Sequence, residues 1–146
     1  MEKNYKLSQQ LCFSFYTINR LFHQFYKQAL EPYDLTYTQY LVLVSLWEKD
    51  CRKLQELGQS LDLASNTLTP LVKRLEEKGL VFRSKPENDK RQLFVNLTEQ
   101  GQKLRLDIEQ KLISCFHQLE GLSEEQADSL LSNNHDLIHM LQKYLS

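Results

Sequence analysis

Chain breakers are scarce: four glycines and three prolines serve 146 residues. So few breakers favour long helices with few tight turns between them. Long apolar runs are missing too, and none approaches the ~18 to 20 residues of a membrane span. The three cysteines are an odd number, which argues against a structural disulfide framework. There is no glycine-rich phosphate loop, no G-x-S-x-G and no C-x-x-C, so the signatures of many nucleotide-binding, hydrolytic and dithiol enzymes are excluded. The polar opening MEKNYK leads straight into an amphipathic pattern, unlike a secretory leader, and points to a cytoplasmic protein. What remains is the composition of one soluble globular domain, 41% hydrophobic and 25% charged.

Helical periodicity dominates what is there. Leu11, Phe15, Ile18, Phe22 and Phe25 follow a 4-3-4-3 spacing, which predicts a helix from about Leu7 to Leu30. Phe13, Tyr16, Leu21 and Tyr26 lie off that stripe, so the helix needs cover on a second side. A second subunit is the simplest cover. Glu31-Pro32 ends the helix or lies just beyond it. Thr36 and Gln39 form a capping box for a nearly all-apolar core helix, YLVLVSLWE. A short helix, Leu54 to Leu61, is followed by a break at Asp62 to Ala64. The next helix has Leu68, Leu71, Val72 and Leu75 on its inner face and stops at Gly79. The period then shortens. LVFRSK and QLFVNL, separated by PENDKR, read as a β-hairpin with Leu93, Val95 and Leu97 inward and Gln92 and Asn96 outward. Thr98 caps a helix to about Leu119. Ser123 and Gln126 open a last one to about Tyr144, weakened around Ser132, Asn133 and Asn134.

Charge follows this division. From Ser65 to Val95 there are seven Lys/Arg against four Asp/Glu, a net of +3. From Asn96 onward there are four against eight, a net of −4. The basic block covers the helix and hairpin that complete the series short helix, break, helix, hairpin, the layout of a winged helix-turn-helix, whose second helix enters the DNA major groove. Ser65, Asn66, Thr67, Thr69, Lys73 and Arg74 lie on the outer face of that helix, with hydroxyls and an amide for base edges and cations for phosphates. The wing tip offers Lys85, Lys90 and Arg91, with Asp89 placed to brace Arg91. Pro70 fits the first turn if the helix starts at Thr67, and removes a second-turn amide if it starts at Ser65. The competing reading of these residues is a helix pair packed on a sheet, with a merely solvated polar face.

A cysteine in LCFSFY, Leu11 to Tyr16, is either a small core residue or a nucleophile an oily substrate can reach. The functional reading needs donors for a thiolate, and Tyr16, Tyr26, Tyr33, Tyr37 and Tyr40 all fall in the first forty residues. A thiolate there would attack a peroxide and become a sulfenic acid. His135 and His139 share a helix face, but no further ligands complete a metal set, so surface histidines are the simpler reading; His23 and His117 are isolated. No cofactor is expected.

The stretches QLCFSFY, LTYTQYLVLVSLWE, TLTPLVKRLEEKGLV, NDKRQ and LTEQG resemble the MarR family of transcription regulators. More narrowly they resemble its organic hydroperoxide and thiol-sensing branch, including the staphylococcal relatives. The resemblance covers nearly the whole chain and is weakest after about Lys111. It implies a mainly helical winged helix-turn-helix homodimer, with residues 1–34 and 99–146 interlocking and residues 50–98 forming the DNA-binding lobe. It implies that Cys12 is the oxidised thiol and that Tyr26 and Tyr37 bond its sulfur, one or both across the dimer. It also makes Arg91, with Asp89, the arginine that enters the minor groove. Thr38 departs from the proline common at that position. Two-cysteine relatives close a disulfide with a late cysteine, where Cys115 falls. One-cysteine relatives form mixed disulfides with small thiols. Cys51 matches nothing in the pattern. The expectation is a non-enzymatic repressor that leaves a pseudo-palindromic operator when Cys12 is oxidised. The rivals are a regulator released by a small phenolic or lipophilic ligand and, in a different class, a thiol peroxidase. Operator release by peroxide, release by a salicylate-like ligand, and peroxide turnover without DNA affinity separate the three.

Overall fold

Helix α1, Leu11–Leu30, opens a computed structural model that describes residues 6, 7 and 10–146. The sequence predicts a start near Leu7. The observed start is Leu11, with Gln10 as its cap and no side-chain hydrogen bond there; Ser8 and Gln9 lie outside the described residues. A 3-10 turn over Glu31–Tyr33 follows, with Pro32 inside it, and Asp34 closes it in the left-handed region at φ 52°. Helix α2, Tyr37–Glu48, begins at the expected capping box. Thr36 Oγ1 accepts from the Gln39 amide at 3.2 Å, and Gln39 Oε1 accepts from the Thr36 amide at 3.1 Å. Val42, Leu43 and Leu46 of α2 are fully buried, as a helix apolar nearly all round requires.

After α2 come strand β1 (Arg52–Lys53), α3 (Leu54–Leu61), α4 (Ser65–Glu77), β2 (Val81–Ser84), β3 (Phe94–Leu97) and α5 (Glu99–His117). The sequence predicts a two-stranded hairpin, but the sheet has three antiparallel strands in the order β1-β3-β2. Strand β1 is two residues long, too short for alternation to show. It makes β3 the central strand, and contacts with β2 correct one side-chain assignment. Asn96, expected outward, is only 9% exposed, and its amide donates to the Phe82 carbonyl (3.3 Å) and to Ser84 Oγ (3.0 Å). Gln92, also expected outward, is half-buried against Asp89 Oδ2.

Helix α4 starts at Ser65, capped by Ala64, so Pro70 lies in the second turn and offers no N–H to the Asn66 carbonyl. The Asn66 residue is exposed, where water can serve that oxygen. The helix ends in a Schellman turn. The Gly79 amide donates to Glu76 O at 2.9 Å and the Leu80 amide to Leu75 O at 3.0 Å, with Gly79 at φ 74°. Thr98 fastens this turn to α5: its hydroxyl donates to Gly79 O and accepts from the Gly101 amide, while its own amide donates to Leu80 O. At Gly101 a Cβ would collide with the Leu80 carbonyl, so only glycine permits this approach.

Contacts divide the chain into two compact units, one reaching Leu112 and the other Ile113–Ser146. The first buries Leu57, Leu68, Val72, Leu75, Val95 and Ile108 completely. In the second, α6 (Glu124–Leu145) opens at a capping box formed by Ser123 and Gln126 and runs unbroken through Ser132–Asn134, where the polar run predicts a weak point. None of its side chains is buried, and Leu130, Leu131, Ile138, Leu141 and Leu145 are all exposed.

Candidate nucleic-acid interface and thiol site

Leu68, Val72 and Leu75 turn one face of α4 into the core. The remaining positions therefore point outward, and Ser65, Asn66, Thr67, Thr69, Lys73 and Arg74 are all exposed. Of the hydroxyls, Thr69 donates back to the Ser65 carbonyl at 2.8 Å. In the loop between β2 and β3, Lys85, Lys90 and Arg91 are exposed. The Arg91 side chain is 93% exposed, yet its base is held: its amide and its Nε both donate to Asp89 Oδ1, at 3.1 and 3.2 Å. The guanidinium is presented outward from a braced stem. A second ion pair fixes the wing to α4. Arg83, on β2, donates from its amide and Nε to the two Glu76 carboxylate oxygens (3.1 and 3.0 Å), with Nη2 at 2.8 Å. These bonds from Arg83 hold the Glu76 carboxyl below its ordinary value.

Cys12 is exposed near the start of α1, on a surface that leaves Leu11, Tyr16, Ile18, Leu21 and Phe22 uncovered. The tyrosines expected beside it lie elsewhere in the same chain. Tyr26 and Tyr37 lie with ring centres 4.3 Å apart and planes tilted by 32°, and Tyr40 adds a third ring 5.8 Å from Tyr26. His23 sits edge-on to Tyr37. Fourteen residues of α1 separate Cys12 from Tyr26, about 21 Å at the helical rise. Sulfur and hydroxyl cannot meet within one chain. Burial, with Tyr37 and Tyr40 beside it, pushes the Tyr26 hydroxyl up to about 12; burial also raises Tyr37 and Tyr40. All three keep their protons near neutral pH and remain hydrogen-bond donors.

Cys115 is half-buried on α5. Cys51 is exposed in a left-handed turn at φ 56°, its amide held by Asp50 Oδ1 at 2.7 Å. His135 and His139 are both exposed on α6. Among the described residues no group of three or more His, Cys, Asp or Glu is placed to hold a metal, and no helix is long and apolar enough to cross a membrane. An open cleft of about 870 Å³ lies between α1, the turn after it and the end of α4. Arg20, His23, Lys27, Tyr37, Arg74 and Lys78 are among its lining residues.

Sequence reasoning missed the Glu76–Arg83 brace and the inward-facing Lys78. Glu76 and Lys78 stand in one charged run, and only the fold brings each to its partner.

Comparison with known proteins agrees with this architecture. The HTH-type transcriptional regulator SarZ of Staphylococcus aureus (strain USA300) is 37% identical over 131 residues, covering 90% of this chain and 88% of its own. Reduced AbfR bound to DNA is 42% identical, with a TM-score of 0.79 over 92% of this chain and 94% of that one. Disulfide-formed AbfR is 41% identical, with a TM-score of 0.70 over 95% and 92%; AbfR is a protein of Staphylococcus epidermidis. The family profile of the SarA/Rot transcriptional regulators matches residues 24–108, more than half of the sequence. With the winged helix-turn-helix in place, the chain belongs to the SarA/Rot family of transcriptional regulators, within the MarR-type fold.

Proposed function

We propose that the protein is a cytoplasmic, homodimeric repressor that releases its operator when Cys12 is oxidised by an organic hydroperoxide. In this reading α4 enters the major groove, with Ser65, Asn66, Thr67, Thr69, Lys73 and Arg74 at the bases and phosphates. Lys90 and Arg91, braced by Asp89, reach the backbone or the adjacent minor groove. Residues 50–98 form the DNA-binding lobe, and residues 1–34 and 99–146 supply the helices that pair the subunits.

One observation carries the thiol part. Cys12 lies on an uncovered apolar face, about 21 Å along α1 from the Tyr26–Tyr37 pair. A second copy laid against that face covers it and brings the tyrosine donors of one subunit to the sulfur of the other. The apolar side chains around Cys12 favour an oily peroxide over a hydrophilic one. The thiolate attacks the distal peroxide oxygen, the O–O bond breaks, the alkoxide leaves with a proton as alcohol, and Cys12 becomes a sulfenic acid. A second thiolate, from Cys115 of the other subunit or from a small thiol, attacks that sulfur. A disulfide forms and the oxygen leaves as water. AbfR has been solved reduced on DNA and in a disulfide-formed state. That pair of states supports looking for release at the disulfide step.

The test is binding to duplex DNA from upstream of the protein's own gene, with and without stoichiometric cumene hydroperoxide. Cys12→Ser should bind as the wild type does and stay bound on oxidation. Tyr26→Phe and Tyr37→Phe should bind normally and form sulfenic acid more slowly. Release of Cys12→Ser by peroxide moves the sensor to Cys51 or Cys115. Release by a salicylate-like ligand without peroxide replaces the thiol reading with ligand binding. On non-reducing gels, a covalent dimer absent from both Cys12→Ser and Cys115→Ser assigns Cys115 as the resolving thiol. A mixed disulfide on Cys12 in place of the dimer removes it from that role.

A further inference from the structure

Lys78 is the C-cap of α4, beside the exposed cations of the recognition face, but its side chain is turned inward and is only 27% exposed. Its ammonium donates to the Asp34 backbone carbonyl, lies 3.4 Å from Asp34 Oδ2, and donates to Gln39 Oε1 at 3.4 Å. Each acceptor belongs to the junction between α1 and α2. Asp34 is the left-handed residue that closes the turn after α1. Gln39 is 2% exposed, and the same Oε1 accepts the Thr36 amide in the capping box of α2. One carboxamide oxygen therefore serves both the start of α2 and the end of α4. The opposite side of the same Schellman turn is fixed to α5 through Thr98. Lys78 reaches the turn after α1 directly, whereas the Thr98 anchor reaches it only by way of α5, where the Tyr33 hydroxyl donates to the Asp107 carbonyl at 3.1 Å.

We infer that Lys78 is a positioning residue for DNA recognition: it seats the C-terminal end of α4 on the Asp34–Gln39 junction, so that a displacement of α1 is passed to the recognition helix. The inference rests on the reading above, in which α4 enters the groove and Cys12 sets the state of α1. A lysine at the end of a recognition helix can reach a phosphate. Here protein acceptors already engage the ammonium, so its contribution to affinity is indirect and has a different salt signature.

Full-length wild type, Lys78→Met and Lys78→Arg are compared on duplex DNA from upstream of the protein's own gene. Binding is measured over a salt series, before and after cumene hydroperoxide. Reduced Lys78→Met should bind about fivefold more weakly, the loss expected for one charge-assisted hydrogen bond partly replaced by water. Its log–log salt slope should equal that of the wild type, because no phosphate contact is lost. Lys78→Arg, which keeps donors in place, should restore affinity. After oxidation the wild type and Lys78→Met should converge. In the absence of DNA, amide exchange at Lys78, Gly79 and Leu80 should quicken in Lys78→Met, while Val42 and Leu57 exchange as before. A shallower salt slope in Lys78→Met makes the residue a phosphate contact and overturns the inference, as does unchanged affinity with unchanged exchange. A wild type that binds but ignores hydroperoxide defeats the thiol-sensing reading instead, and the Met and Arg variants still decide the role of Lys78. If the wild type does not bind the duplex, the exchange measurement decides it alone.

Discussion

Arg91 shows how a single side chain is prepared for a polyanion. An exposed arginine ordinarily samples many rotamers, and docking it on DNA costs side-chain entropy. Asp89 takes the amide and Nε of Arg91 on one oxygen and the Gln92 amide group on the other, which fixes the base of the side chain and leaves the outer nitrogens forward. Arg91→Ala should weaken operator binding and lower the salt slope by roughly one for each subunit whose phosphate or minor-groove contact is lost. Asp89→Ala should weaken binding less and leave the slope alone, since the charge survives and only its placement is lost. An unchanged salt series for Arg91→Ala would take the wing out of the interface. The Asp89–Arg91 pair was legible because the two residues are neighbours in the chain. The inward turn of Lys78 was not, because its acceptors are Asp34 and Gln39, about forty residues away in sequence.

Among the elements, the sequence was most legible where a local rule acts. The capping boxes at Thr36 and Ser123 and the glycine stop at Gly79 depend on residues within one or two turns of each other, and all three are present. The rules failed where pairing is remote. Two residues, Arg52 and Lys53, become a strand only because β3 is there to pair with them, and Asn96 is buried where its amide meets Phe82 and Ser84 of β2. The mutual position of α4 and the wing is likewise set by a non-local pair, Glu76 with Arg83. With its folded pKa below the ordinary 4.5, the Glu76 carboxylate contributes stability that is present above the unfolded value and is lost as pH falls through the folded one. Both side chains are about a third exposed, so solvent screening leaves a contribution of about 0.5–1 kcal/mol. Glu76→Gln should therefore lower the unfolding midpoint at neutral pH. Its stability curve should be flatter than that of the wild type on the acid side, as denaturant titrations at a series of pH values would show.

At the scale of the molecule, the uncovered apolar surface is the feature the fold does not satisfy. Leu11, Tyr16, Ile18, Leu21 and Phe22 on α1, and Leu130, Leu131, Ile138, Leu141 and Leu145 on α6, are all exposed in one chain. Full burial of such a side chain is worth roughly 1.5–3 kcal/mol, and each of these, partly exposed, forgoes a share of it. The doubly apolar pattern of α1 was visible in the sequence, whereas the geometry of the pair it implies requires a second copy. Leu21→Glu should shift the protein from dimer toward monomer in sedimentation equilibrium and lower operator affinity in step; an unshifted dimer would place the contact away from this face. A different consequence follows from Trp47, the lone tryptophan in the chain. Its indole N–H donates to the Gly101 carbonyl at 2.9 Å, and its ring lies 6.3 Å from Tyr40, the outer member of the tyrosine cluster. A single emitter beside three absorbers is an optical gauge. Light absorbed by the tyrosines reaches the indole by resonance transfer, and the colour of the emission follows the hydration of the bond to Gly101. The protein carries its own fluorescent reporter, unlabelled, on the seam between α2 and α5.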